Sequence, residues 1–307
     1  MLKKIDKKHQ NMILLITAIF LALLYLMSFI TSTVEKDSRE KIKTSLINPK
    51  YKDSITSFEL SDSSGNLELV NNGSFWTAGS LTASKERIQN FIENLTSIRN
   101  LYKISDKITE NSSFGLNNGT EFHLRYYTDS GFHELVFGNQ DFALSSRYLM
   151  TEKSSQVYET DSSLDAYLTS SLQSWAEPYL ISRTASVSRD IQSTTVIFSN
   201  PQENDGKKTA IISDINKFLE LRHGGGVDAA EYEVLKNQKA SMEIFIENGD
   251  KSSIKLEIYP SENQDISYIV KAEYYKQQGI SESKSPYYTS YSKISSWTYN
   301  KIKEITL

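Results

Sequence analysis

The longest unbroken apolar run on the chain is Met12–Ile30, MILLITAIFLALLYLMSFI, which holds no charge, glycine or proline and is interrupted only by Thr17, Tyr25 and Ser28. As a helix this run rises about 28 Å, close to the hydrocarbon thickness of a bilayer. A helix bonds all of its own backbone groups, so the pattern predicts one transmembrane span. Beyond it no apolar run is as long. Short stretches of period two alternate instead with stretches of period 3.6, the pattern of strands and amphipathic helices.

In the first block, Ile55–Leu60 and Leu67–Val70 flank Asp62-Ser63-Ser64-Gly65, and Asn71-Asn72-Gly73 makes a second turn before Phe75-Trp76. Both are hairpin signals. From Ser84, a suitable N-cap, the residues Ile88, Phe91, Ile92, Leu95 and Ile98 recur at helical spacing. Around Thr128-Asp129-Ser130-Gly131 one register sets Phe122 opposite Phe137, Leu124 opposite Leu135 and Tyr126 opposite His133, with Arg125 opposite Glu134 on the other face. Strands are expected at Arg147–Thr151 and Gln156–Glu159. A helix is expected from about Asp161, carrying Leu164, Tyr167, Leu168, Leu172 and Trp175, and closed by Glu177-Pro178.

The second block follows a similar order. Thr194–Phe198 reads as a strand, and Ile215, Phe218 and Leu219 as the apolar face of a helix capped by Ser213 or Asp214. Met242, Ile244 and Ile246 face Ile254, Leu256 and Ile258 across a turn near Asn248-Gly249-Asp250. Tyr268–Tyr275 is a further strand, and Pro286-Tyr287-Tyr288 leads to a last helix with Ile294, Trp297, Ile302 and Ile305. The expected fold is α+β: an N-terminal transmembrane helix, then two similar units of mostly antiparallel sheet with flanking helices. The expected boundaries are a tail at 1–11, the anchor at 12–30, a polar linker at 31–54, and units at 55–182 and 191–307.

Composition adds a location. The chain has 307 residues, no Cys and a net charge of −4. Absence of Cys excludes disulfides, thiolate metal sites and a cysteine nucleophile, and suits a bacterial envelope protein. No basic stripe supports nucleic-acid binding. Lys3, Lys4, Lys7 and Lys8 precede the span, while Lys36, Arg39, Lys41 and Lys43 follow it, so the charges flanking it are nearly balanced. Orientation therefore rests on the short basic tail remaining in the cytoplasm and on the missing cysteines. The expected location is the bacterial cytoplasmic membrane, single-pass, with the bulk of the chain extracytoplasmic. The apolar run exceeds the ~7–15 residues of a signal-peptide core and lacks a good small-residue site after it, so an uncleaved anchor is expected.

Motifs for chemistry are sparse. His223-Gly224-Gly225-Gly226 matches an oxyanion-hole segment, but no G-x-S-x-G elbow accompanies it, and the glycines read instead as the end of a helix over Ser213–Arg222. His123 and His133 fall on opposite faces of the hairpin, His9 lies in the tail, and no pair of His has zinc-ligand spacing. There is no P-loop and no G-x-G-x-x-G, so no nucleotide, cofactor or metal is expected. Four Asn-x-Ser/Thr acceptors, at Asn72, Asn94, Asn111 and Asn118, are expected by chance in so Asn- and Ser-rich a chain. The reading is of a non-enzyme.

One resemblance emerges from the order of pieces. Phe58–Leu60, Gly73-Ser74-Phe75-Trp76, Phe114-Gly115-Leu116, Leu135-Val136-Phe137-Gly138, Arg147-Tyr148-Leu149 and Val157-Tyr158 resemble the domain-of-unknown-function 4340 family over roughly residues 55–182. Gly115 and Gly138 are expected at turns. The chain departs from the family where many members carry Arg-Asp, having Trp175-Ala176-Glu177 there. The resemblance implies a single-span envelope protein grouped with gliding-type ABC transporters, with a permease or auxiliary subunit as partner and no catalytic set. The alternative is a module holding a small lipid or glycan between its two units. Trp76, Tyr148, Trp175, Tyr287, Tyr288 and Trp297 are the candidate ligand or partner surface, although core packing is the commoner reason for such aromatics.

Overall fold

A computed structural model of the chain describes residues 7–38, 40–106, 113–117, 119–151, 154–186, 191–198, 214–235, 237–261, 268–276 and 285–306. Lys3 and Lys4 of the basic tail, Arg39, the acceptors Asn111 and Asn118, and the cap candidate Ser213 lie outside these residues. The protein is α+β, with an N-terminal apolar helix and two antiparallel sheets of ten and six strands. Its α1 (Lys7–Ser38) contains Asn11–Phe29, a stretch of mean hydropathy 2.6 that is long and apolar enough to cross a membrane and has no residue buried among the described ones.

The larger sheet runs in the order β1-β6-β10-β9-β8-β7-β2-β3-β4-β5. Its strands are β1 (Lys41–Thr44), β2 (Ser57–Asp62), β3 (Gly65–Asn71), β4 (Trp76–Ala78), β5 (Leu81–Thr82), β6 (Arg99–Ser105), β7 (Phe122–Thr128), β8 (Gly131–Gln140), β9 (Ser146–Thr151) and β10 (Val157–Asp161). The smaller sheet runs β11-β13-β14-β15-β16-β12. It comprises β11 (Ile191–Phe198), β12 (Gly225–Gly226), β13 (Met242–Asn248), β14 (Ser253–Pro260), β15 (Tyr268–Tyr275) and β16 (Tyr288–Ile294). Helices α2 (Lys85–Thr96), α3 (Leu172–Trp175), α4 (Ile215–Leu219), α5 (Ala229–Leu235) and α6 (Ser296–Thr306) complete it.

Two compact units are interleaved along the chain. The first takes Met1–Pro49, Asn94–Leu124 and His133–Leu168; the second takes Lys50–Glu93, Arg125–Phe132 and Thr169–Leu307. In the first, Leu116, Val136 and Val157 form a buried cluster against Ile104, Phe114, Tyr148 and Met150. In the second, the inward side chains of β13, β14 and β15 meet α4, α6 and Leu180–Ile181 in one core.

Period-two patterns settled registers. Leu60 pairs with Leu67, and Met242, Ile244 and Ile246 pair with Ile258, Leu256 and Ile254, all six of these isoleucine, leucine and methionine side chains of β13 and β14 being almost wholly buried. Strands β7 and β8 are joined by Asp129-Ser130, and the rings of Phe122 and Phe137 stand 6.5 Å apart, as their register requires. Arg125 meets Glu59 of β2 at 3.4 Å, and Glu134 meets His123 at 3.1 Å. Ser84 caps α2 through Arg87 N–H, but the helix ends at Thr96, leaving Ile98 exposed.

Four readings change. The polar segment at 31–54 includes β1, which pairs with β6, and Ile47, which is fully buried. The helix expected from Asp161 is a 3₁₀ helix at Ser162–Tyr167 followed by the four-residue α3. Between them Ser170 donates its N–H and hydroxyl to Asp62, and such local polar bonds compete with helical ones. Tyr288–Ile294 is a strand whose Ser290, Ser292 and Ile294 point inward. Gly138 lies within β8 and not at a turn. A Cβ there would stand 2.1 Å from the Phe114 carbonyl, so the Phe114-Gly115-Leu116 segment can lie flat on β8 only over a glycine.

Candidate functional site

The most concentrated chemistry of the second unit surrounds Glu177, two residues past the end of α3. Its carboxylate is buried and receives four donors. Oε2 accepts from Thr82 Oγ1 at 3.1 Å, Ser182 Oγ at 2.8 Å and Thr184 N–H at 3.2 Å; Oε1 accepts from Arg183 N–H at 2.9 Å. Three of them converge on Oε2 and one reaches Oε1, and the single hydroxyl proton of Thr82 is shared between Oε2 and Ser182 Oγ at 2.9 Å. The Ser182 N–H donates in turn to the hydroxyl of Tyr274 at 2.9 Å, a fully buried tyrosine whose pKa burial drives upward. Both oxygens of Glu177 are bonded, and the carboxylate anchors residues 182–184.

His223 is used just as fully. Gly225 N–H donates to its Nδ1 at 3.1 Å, which makes Nδ1 the acceptor, so Nε2 carries the proton and donates to the Glu177 carbonyl at 2.7 Å. Burial lowers the imidazole's pKa more than that carbonyl raises it, keeping the ring neutral. The glycines do not end a helix: α4 stops at Leu219, while Gly225-Gly226 form β12 against Lys293 and Ser292. A Cβ on Gly226 would meet Leu172 Cδ2 at 2.5 Å and Ser80 Oγ at 2.7 Å, so the glycine lets these two side chains pack close to β12. No oxyanion-hole geometry results. Asp214, one of the two expected caps, does cap α4, accepting from Lys217 N–H at 3.1 Å.

The six aromatic candidates fall into four settings. Trp76 and Trp175 end an aromatic column, Trp76 stacking on Phe58 at 5.5 Å, Phe58 meeting Phe91 at 5.1 Å, and Phe91 meeting Trp175 at 5.0 Å. Trp175 is wholly buried and its indole N–H donates to the Thr169 carbonyl at 2.8 Å. Tyr287 and Tyr288 pack against the smaller sheet's core, Tyr287 donating to the Ala185 carbonyl and Tyr288 lying 5.0 Å from Phe75 and 5.6 Å from Tyr274. Tyr148 belongs to the first unit, 4.8 Å from Phe114. Only Trp297 stands out, 66% exposed on α6.

A second feature was illegible in the sequence. Between β8 and β9 the loop Asp141–Ser145 projects Phe142, 89% exposed, and Leu144, 65% exposed. Its shape is fixed from below. Asp141 Oδ1 accepts the N–H of Ser145 at 2.7 Å and of Ser146 at 3.0 Å, Oδ2 accepts the Ser145 hydroxyl at 3.0 Å, and the Asp141 carbonyl accepts Leu144 N–H at 3.0 Å. Burial raises the Asp141 pKa, but the bonds from Ser146 and Ser145 outweigh it and hold the carboxyl below its usual value. Leu144 adopts φ 54°, a left-handed conformation costing a non-glycine residue about 1 kcal/mol.

Among the described residues no three His, Asp or Glu side chains gather in a way that could hold a metal ion. Residues 76–217 match the model of a family described as a domain of unknown function, DUF4340. The match begins at Trp76, past Phe58–Leu60 and Gly73–Phe75, and runs beyond 182 to Lys217. No curated protein and no solved structure matches the chain.

Proposed function

We propose that this DUF4340-domain protein is a membrane-anchored, non-enzymatic binding protein of the bacterial envelope, whose α1 crosses the cytoplasmic membrane once and whose folded part works outside by docking a permease or auxiliary subunit of an ABC transporter. The observation that carries the docking reading is the Phe142–Leu144 tip. Exposed apolar side chains on a loop tied down by four hydrogen bonds and a left-handed leucine are presented at a cost, as expected of an interaction site. The burial of Glu177 in bonds to its own chain and the use of both His223 nitrogens by backbone groups support the non-enzymatic part.

Strand direction supports a protein partner over lipid. The chain passes from α1 into the first unit at Lys41, which pairs with Tyr102, while Thr44 pairs with Arg99. Val157 pairs with Ser105, and Asp161 pairs with Ser146. Lys41, Ser105 and Val157 therefore mark one end of these strands, and Arg99, Asp161 and Ser146 the other. The tip precedes Ser146, at the end away from the chain's entry. The family resemblance motivates the transporter as partner.

A photo-crosslinking phenylalanine analogue at position 142 of the full chain, in native membranes, is expected to capture a polytopic transporter subunit identifiable by mass spectrometry. The Phe142→Asp, Leu144→Asp double variant is expected to lose that subunit on purification in mild detergent while keeping its thermal midpoint. Crosslinks to lipid alone, no crosslink, or an undiminished subunit in the double variant would overturn the reading.

A further inference from the structure

Helices α4 and α6 of the second unit enclose a groove of about 650 Å³, within the ~300–1,000 Å³ of small-molecule sites. We propose that this groove binds a neutral glycan, with the indole of Trp297 as the platform on which a sugar ring stacks. The inference stands apart from the transporter reading, since it rests on different residues.

Three properties of the groove select the ligand. First, its floor is apolar but small, made by Leu221 and Ile305, and beside it Trp297 is left 66% exposed. Both other tryptophans are engaged in the aromatic column, so exposure of this one is not general to the chain. An exposed indole offers a flat apolar face with one N–H at its edge, which matches the C–H face of a pyranose.

Second, the rim is charged but balanced. Asp214, Lys217 and Glu220 come from the α4 side, and Lys301 and Glu304 from α6, where Trp297, Lys301 and Glu304 share a face at i, i+4 and i+7. Glu220 pairs with Arg183, so three carboxylates stand against three cations, and a groove without cationic excess disfavours a phosphate or other anion. An acyl chain is disfavoured too, since covering so many charges with hydrocarbon leaves them unsolvated and unpaired. A neutral ligand rich in hydroxyls has neither difficulty: each hydroxyl both donates to a carboxylate and accepts from an ammonium or from the Asn216 amide.

Third, the rim groups are held loosely. Lys217 pairs with Asp214 at 3.0 Å and Lys301 with Glu304 at 2.6 Å, both exposed pairs three residues apart on one helix. Such pairs contribute little, and exchanging them for sugar hydroxyls costs correspondingly little.

The test uses the full chain in lauryldimethylamine oxide, a detergent without a sugar headgroup, with N-acetylglucosamine tetramer and glucose tetramer as probes. Acrylamide quenching of tryptophan emission reads Trp297 preferentially, because Trp175 is buried and Trp76 half-buried. One of the tetramers is expected to shield the emission saturably; in isothermal titration calorimetry, which needs no indole, Trp297→Ala is expected to weaken binding at least about tenfold and Trp297→Phe to retain part of it, at unchanged thermal midpoint. Absence of shielding by both tetramers, equal binding by Trp297→Ala, or shielding by phosphatidylglycerol vesicles alone would overturn the proposal.

Discussion

Glu177 shows how one buried carboxylate organises a stretch of chain. Replacing it with Gln turns an amide N–H₂ toward donors, and replacing it with Ala leaves Thr82, Ser182, Arg183 N–H and Thr184 N–H without their acceptor. Either change is expected to destabilise the protein by about 2–4 kcal/mol, read as a lower midpoint of urea unfolding. The position was visible in the sequence only as the end of a helix before Pro178, because a Glu at that point is ordinarily solvated. Its partners, 5 to 95 residues away, are brought in by the fold. His223 yields a pH dependence. Its folded pKa lies below the ordinary value, so the unfolded chain binds more protons as the solution is acidified. The stability from keeping it neutral is complete above about pH 6.5 and is lost as the pH falls toward its folded value. Chemical denaturation of the wild type between pH 7 and pH 5 is expected to show this decline, and His223→Gln to flatten it.

At the scale of elements, strand β1 has the greatest consequence for handling the protein. A chain starting at Glu40 keeps β1 and its pairing to β6. One starting at Lys50 also loses Ile47, fully buried and bonded through its N–H to the Leu95 carbonyl at 3.0 Å. The longer chain is expected to unfold at the midpoint of the full protein, the shorter to be weaker by about 3 kcal/mol or more and to aggregate through the uncovered edge of β6. Size-exclusion chromatography and thermal melts distinguish them. The segment reads as a linker because Lys41, Lys43 and Thr44 are polar and an edge strand needs few buried side chains. Where a period-two pattern was uninterrupted, as in β13 and β14, the sequence brought the right six side chains face to face. Where polar side chains bonded locally, as at Ser170, the apolar spacing of Leu168, Leu172 and Trp175 suggested one helix and the fold contains two short ones.

For the whole molecule, α1 decides how the chain behaves in solution. None of its apolar stretch is buried by the described residues. The full chain is expected to float with liposomes and resist extraction at alkaline pH, and the chain beginning at Glu40 to remain in the soluble fraction. The apolar helix, the antiparallel hairpins and the α+β class all follow from periodicity, because burial is a local property of each side chain and repeats with the geometry of its own element. The interleaving of two units, the burial of Glu177, the neutral tautomer of His223 and the presentation of Phe142, Leu144 and Trp297 do not repeat along the chain. They depend on which distant segments share a surface, and a side chain's sequence neighbours carry no record of what the folded chain lays against it or leaves open to water.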